Sequence, residues 1–285
     1  MPRYIYDFAG IKMELNTPFE MKIHRESSPF MIISDIPAQE SIRLVPVDNL
    51  PEMPSFGFWS DDHFFTTWND IPAVFVRNYP GEAPYALLLE QNTVLELRYL
   101  VQYERYVSDS NSLLNLIGIE RFLLRNYGFL LHASFISWQG RGILFSAPCG
   151  TGKSTQANLW ERYESSHTIN GDRAGVRFVN EKWTGYGVPF AGSSGVYLRE
   201  SAPLAAIVTL AQGPENIIRR LRPKEAISKL LPEISCRRWD ALFMNQLLNY
   251  LIQLVQSVPV YHLECRPDQG AVELLRDCLV REDRE

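Results

Sequence analysis

Through the first hundred residues, short runs of β-branched and aromatic residues are separated by clusters of Pro, Gly, Asn and Asp. Residues 3–8, 11–15, 30–34, 41–46, 73–79, 85–90 and 94–100 are accordingly predicted as strands. Gln91-Asn92-Thr93 between the last two predicts a hairpin. Residues 48–69 combine several prolines with Phe56, Phe58, Trp59, Phe64, Phe65 and Trp68, and read as a loop whose aromatics pack locally.

Beyond residue 110 the period changes. Leu113, Leu116, Ile117, Ile119, Phe122, Leu123 and Leu124 form a wide apolar face behind Ser112 as N-cap, which predicts one helix over residues 112–126 bridging two domains. A strand over 129–138, a turn at 139–142, a second strand, a helix through 156–163 and a strand ending at Asp172 follow. Residues 174–179 and 183–188 predict an antiparallel pair around Asn180-Glu181-Lys182. A buried strand is expected at 204–210, helices at 224–231 and 237–257, a strand at 260–264 and a last helix at 269–280. In the long helix, Gln246, Asn249, Gln253 and Gln256 lie opposite Leu247, Tyr250, Leu251 and Leu254, so it lies on a surface. The expected fold class is α/β. A strand-rich domain over residues 1–110 precedes a mixed sheet layered with helices over residues 111–285.

Length and composition narrow the function classes. The 285 residues suffice for two domains, and 46% hydrophobic content suits a soluble globular protein. A net charge of −5 and a pI near 5.7 leave no basic excess for nucleic acid or an anionic membrane surface. The most apolar stretch is interrupted by Glu120, Arg121, Arg125 and His132, so no membrane span is expected, and the first residues lack the pattern of a secretion signal. Cys149, Cys236, Cys265 and Cys278 are scattered without a C-x-x-C pair, which argues against zinc or a disulfide framework and for a cytoplasmic protein. A homo-oligomer is compatible with this composition.

Candidate chemistry enters at Gly142-Ile-Leu-Phe-Ser-Ala-Pro-Cys-Gly-Thr-Gly-Lys-Ser-Thr155, which reads as a strand, a phosphate loop and a helix start. Ala147, Pro148, Cys149, Gly150, Thr151, Gly152, Lys153, Ser154 and Thr155 follow G-x-x-x-x-G-K-[ST], with Ala147 at the first glycine. A triphosphate needs many donors close together, and loop N–H groups with the positive end of a helix provide them. Gly150 and Gly152 let the backbone approach, Lys153 would reach the outer phosphates, and the Ser154 hydroxyl would ligate Mg²⁺. ATP and Mg²⁺ are therefore the expected ligands. Cys149 reads as a small filler.

Phosphoryl transfer also needs a group to manage the metal and the incoming nucleophile, and Asp172 at the end of its strand is the candidate. If that strand lies beside the loop strand, the carboxylate faces the terminal phosphate. His132, one hairpin before the loop, is placed either to reach Asp172 or to pack as a core residue. Arg173, beside the acid, is the better phosphate contact and Arg177 the lesser. Arg199 is a further candidate, while Arg219-Arg220-Leu221-Arg222 reads as a solvated face.

Leu131-His-Ala-Ser134, Ala147 to Thr155, Ile169-Asn-Gly-Asp-Arg173, Gly187-Val-Pro-Phe190 and Pro203-Leu-Ala-Ala-Ile207 together resemble the HPr kinase/phosphorylase-related proteins. Their nucleotide-binding fold is shared with phosphoenolpyruvate carboxykinase. The resemblance, over residues 112–280, implies ATP and Mg²⁺, transfer to a serine hydroxyl, a histidine at His132 and an acid at Asp172. Two adjacent aspartates are common in the family where this chain has Gly171-Asp172, which leaves Asp172 open as base or metal ligand. Thr155 stands where bifunctional HPr enzymes tend to have Glu, which points away from HPr as substrate. Related kinase-like proteins accompany peptide modification, including kinases of lasso-peptide precursors, so a serine on a peptide or protein is the expected acceptor. Two readings compete with a serine kinase. One is a P-loop small-molecule kinase, against which the antiparallel 174–188 pair speaks; the other is a non-catalytic, nucleotide-gated binding protein, for which the single acid speaks.

Overall fold

The structure is a computed structural model and describes residues 2–282. The chain divides into two compact units, Met1–Ile119 and Glu120–Glu285.

The first unit is built on one eight-stranded sheet of β1 (Arg3–Phe8), β2 (Ile11–Asn16), β3 (Glu40–Val47), β4 (Phe58–Ser60), β5 (His63–Trp68), β6 (Ile71–Val76), β7 (Ala86–Gln91) and β8 (Val94–Leu100), in the order β1-β2-β3-β8-β7-β6-β5-β4. The β2–β3 and β3–β8 pairs are parallel and the others antiparallel. Alternation explains which face is buried: Ile11, Met13 and Leu15 of β2 and Leu95, Leu97 and Tyr99 of β8 point inward at every second residue. The helix α1 (Ser110–Ile117) lays Leu113, Leu114 and Ile117 against Tyr6, Phe8, Met13, Leu15 and Ile42.

Three expectations for this region are corrected. Residues 30–34 are not a strand: Pro29 opens a short 3₁₀ turn, Ser28–Phe30, and only Met31 bridges to Tyr6. Residues 48–69 are not all loop, because β4 and β5 pair there, with Phe58 stacked on Phe65 at 5.5 Å and Trp59 near Phe64 at 5.3 Å. The single helix over 112–126 is two. Asp109, not Ser112, caps α1 by accepting from the N–H groups of Asn111 and Ser112, and Gly118 at φ 66 stops it before α2 (Glu120–Arg125).

The second unit holds a nine-stranded mixed sheet of β9 (Gly128–Trp138), β10 (Arg141–Ser146), β11 (His167–Asn170), β12 (Arg173–Val179), β13 (Lys182–Gly187), β14 (Ser201–Gln212), β15 (Ile217–Arg220), β16 (Ile234–Ser235) and β17 (Val260–Cys265). The long strands β9 and β14 each change neighbours along their length. The second half of β9 pairs antiparallel with β10 and its first half with β12, while β14 runs parallel to β10 and meets β13 at its start. With the β12–β13 hairpin, these five strands close a ring. Phe135, fully buried, fills it beside Leu204, and a Cβ at Gly142 or Gly185 would press into both side chains. Parallel β17 and antiparallel β15 extend the sheet beyond β14. Arg219 and Arg220 form half of β15, an edge strand missing from the sequence reading, and these arginines pair with Glu225 and Glu282.

Helices cover both faces, as expected for a three-layer fold. On one side α4 (Pro223–Leu230) and α5 (Ala241–Ser257) pack against Leu131, Leu144 and Ile207 through residues such as Leu247, Leu251 and Leu254. On the other, α3 (Lys153–Glu164) and α6 (Gln269–Glu282) pack Trp160, Val272 and Leu275 on Ile143, Phe145 and Val208. Successive residues of β10 thus feed opposite cores, which is why its whole run is apolar. Among the described residues, no helix is long and apolar enough to cross a membrane.

Candidate functional site

The apolar run of β10 ends at Ser146, and residues 147–152 turn the chain into α3. Gly150 and Gly152 have φ of 79° and 116°, and a Cβ added at either would meet nothing within 4 Å. Their role is therefore conformational: the loop needs left-handed backbone, not room. Gly152 is the N-cap of α3, so no side chain caps the helix, and its first turn carries no acidic residue. Ser154 and Thr155 on that turn are exposed, as is Cys149 in the loop.

Lys153 is the charged member. Its side chain folds back over the loop, with Nζ donating to the carbonyl of Ala147 at 2.7 Å and of Pro148 at 3.4 Å, and the residue is only 8% exposed. Burial pulls its pKa below the ordinary lysine value, while Glu233, Cys149 and Asp172 push the other way. These residues are electrostatic neighbours of the ammonium group.

The loop is anchored to β9 by Ser146 Oγ, which donates to the carbonyl of His132 at 3.0 Å. His132 is one of two positions in β9 that are not buried. Its Nδ1 lies 2.9 Å from Glu233 Oε2 and its Nε2 lies 3.7 Å from Asp172 Oδ1, so the imidazole stands between two carboxylates. Glu233 arrives from the turn before β16, which pairs with β9 through Ile234 and Leu131.

Asp172 sits in the turn between β11 and β12. Asn170, fully buried, builds that turn: its Oδ1 accepts from the N–H groups of Asp172 and Arg173 at 3.0 Å each, and its Nδ2 donates to the Val188 carbonyl at 2.7 Å. Arg173 Nε lies 3.4 Å from Asp172 Oδ2, with the guanidinium over Phe190. The loop at 192–195 backs the acid. Gly192 has φ 53°, and a Cβ there would sit 2.7 Å from Asp172 Cγ; a Cβ at Gly171 would collide with Ser194. Gly192→Ala is expected to cost about 1–2 kcal/mol in urea denaturation through left-handed strain, and to displace the carboxylate.

The structure therefore brings Lys153, His132, Asp172 and Arg173 to one mouth of the loop. It does not bring Arg177, which donates to the Asn126 carbonyl near the far end of β9, and Arg199 is exposed. One conditional expectation fails: β11 is not beside β10, because β9 lies between them, and Asp172 meets the site through His132. Sequence reasoning missed Glu233 and Asn170. Asn170 had a local signal, an Asn-Gly pair ahead of the acid, whereas Glu233 lies 101 residues from His132 and had none.

Behind the loop, a cleft of about 380 Å³ opens between α3 and the C-terminal ends of β14 and β17. Gln212 on its wall donates from Nε2 to the Gly150 carbonyl at 3.3 Å.

Residues 110–268 match the family described as SynChlorMet cassette protein ScmC. A search of curated proteins finds no match. Among solved structures, the HPr(Ser) kinase/phosphatase from Coxiella burnetii shows a loose likeness, with 14% identity and a TM-score of 0.32 over 54% of this chain and 90% of that chain. Since the family match spans more than half of the chain and contains the loop, His132, Asp172 and Glu233, this protein belongs to the SynChlorMet cassette protein ScmC family.

Proposed function

We propose that this chain is an ATP- and Mg²⁺-dependent kinase that phosphorylates a serine hydroxyl on a peptide or protein. The observation that carries the reading is the convergence, at one loop mouth, of a buried ammonium group and an imidazole held between two carboxylates. The loop has the chemistry of a phosphate loop, with left-handed glycines and a helix N-terminus free of side-chain caps. Lys153 would exchange the carbonyls of Ala147 and Pro148 for the outer phosphate oxygens, an interaction strengthened by its burial.

The transfer follows from that placement. The serine Oγ attacks the terminal phosphorus, the bond from that phosphorus to the bridging oxygen breaks, and ADP leaves. Asp172 accepts the hydroxyl proton. His132 fixes the carboxylate, and Glu233 fixes His132. Arg173 adds positive charge beside the acceptor side of the phosphate.

Among the described residues, no group of three or more His, Cys, Asp or Glu is arranged to hold a metal ion. The Ser154 hydroxyl is a hard oxygen donor that fits Mg²⁺, with the Asp172 carboxylate as the alternative role to proton acceptance; phosphate and water usually fill the remaining positions. When bound, the ion would neutralise phosphate charge. The serine acceptor and the peptide class rest on the sequence resemblance, and a cytoplasmic location on the four free cysteines.

The test is incubation with γ-labelled ATP, Mg²⁺ and a panel of serine peptides. Tight nucleotide binding with no labelled acceptor under any condition would instead support the non-catalytic, nucleotide-gated reading. In an active preparation, Glu233→Gln is expected to lower kcat by roughly tenfold to a hundredfold, the usual scale for an outer-shell partner. KM for ATP should stay within twofold. A change confined to KM would remove Glu233 from the positioning role.

A further inference from the structure

The cleft behind the loop takes no part in that transfer, yet it is built from specific groups. Thr151, Thr155 and Gln156 come from the loop and α3, Gln212 from β14, Cys265 from the end of β17 and Arg266 from the residue after it. The carboxyl ends of parallel strands are where α/β folds bind ligands. Gln156 is 2% exposed; its Nε2 donates to Cys265 Sγ at 3.2 Å, and its Oε1 has no hydrogen-bond partner. A buried acceptor without a partner costs free energy and calls for a reason. The cleft's arginine is engaged, with Arg266 Nε 3.1 Å from Asp268 Oδ2, so the pocket offers little charge for another phosphate. Leu210 and Pro267 supply apolar wall, and the volume suits a ring and a sugar.

Position adds direction. The acid, the imidazole and Arg173 stand on the β9 and β12 side of the loop, whereas the cleft lies on the β14 and β17 side. The Gln212 contact to Gly150 makes cleft and loop continuous, so one molecule can span both.

We infer that this cleft is the nucleoside subsite, in which Gln156 reads the base by accepting an N–H from an amine edge such as that of adenine. The inference rests on the loop binding nucleotide as proposed above. The terminal torsion of a glutamine is soft, so a turn of the carboxamide presents Oε1 to the cleft. The nucleotide then lies across the loop, base toward β17 and terminal phosphate toward Asp172.

Isothermal titration of the full chain with ATP, with an ATP analogue bearing hydrogen in place of the exocyclic amine, and with inorganic tripolyphosphate tests this. Wild type is expected to bind ATP about tenfold more tightly than the deamino analogue, the scale of one buried hydrogen bond. Gln156→Leu should erase that difference and leave tripolyphosphate binding unchanged, with Gln156→Met as a closer match in shape should the leucine variant fail to fold. Equal binding of ATP and analogue by wild type, with tripolyphosphate still bound, overturns the subsite and leaves the loop assignment standing. Binding of neither ATP nor tripolyphosphate overturns both.

Discussion

Replacing Lys153 by Met is expected to weaken ATP binding by roughly a hundredfold or more, the scale of losing a charge-assisted hydrogen bond in a shielded site. Met preserves the length and the apolar stem, so the loss isolates the ammonium group. The same substitution changes how stability depends on pH. Burial lowers the folded-state pKa of Lys153 below the ordinary value of 10.5, so between the two values the unfolded chain binds more protons than the folded one. Stability of the wild type must therefore rise with pH across that window, because the cost of the buried charge disappears as the folded lysine deprotonates. The Met variant carries no such charge and should lack that component of the rise. Calorimetric ATP binding and urea midpoints measured from neutral pH up to 10.5 check both halves. Unchanged ATP affinity would remove the loop from the site; a pH profile identical to wild type would mean that the ammonium is not desolvated.

What the sequence made visible and what it hid divide along separation in the chain. The β9–β10 hairpin, the glycine loop and the β12–β13 hairpin are local, and their turns are written in residues that accept left-handed backbone: Gly140, Gly150, Gly152 and Asn180 all have positive φ. The ring of strands is not local. It closes through β10–β14 and β13–β14 pairs, for which no turn residue gives notice. The same holds for the site. Lys153 and Asp172 were identifiable from their neighbours, but Glu233 reaches His132 only because a two-residue strand docks on β9. Elsewhere, aromatics on both faces of β4 and β5 erased the period-two signal, and a continuous apolar face across residues 112–126 concealed the break at Gly118. Pattern alone left open whether β11 lies beside β10; β9, with an edge free on each side, takes both as neighbours.

Asp172→Asn is expected to cut phosphoryl transfer by about 10² to 10⁴, the usual contribution of a positioned proton acceptor, while ATP binding is retained or improved. Asn keeps the shape packed on Gly192 and leaves the Asn170 turn intact, since that turn uses the backbone of residue 172. What changes is charge: the carboxylate facing His132 and Arg173 is gone, and with it a repulsion toward a bound polyanion. Single-turnover transfer from labelled ATP, alongside calorimetric binding, separates chemistry from affinity. The Mg²⁺ dependence then assigns the role. If Asp172 takes the proton, kcat falls at every Mg²⁺ concentration and half-saturation by Mg²⁺ does not move. If it ligates the ion, half-saturation rises and excess Mg²⁺ restores part of the rate. Transfer within twofold of wild type would exclude both roles, and the carboxylate between His132 and Arg173 would then be a structural contact alone.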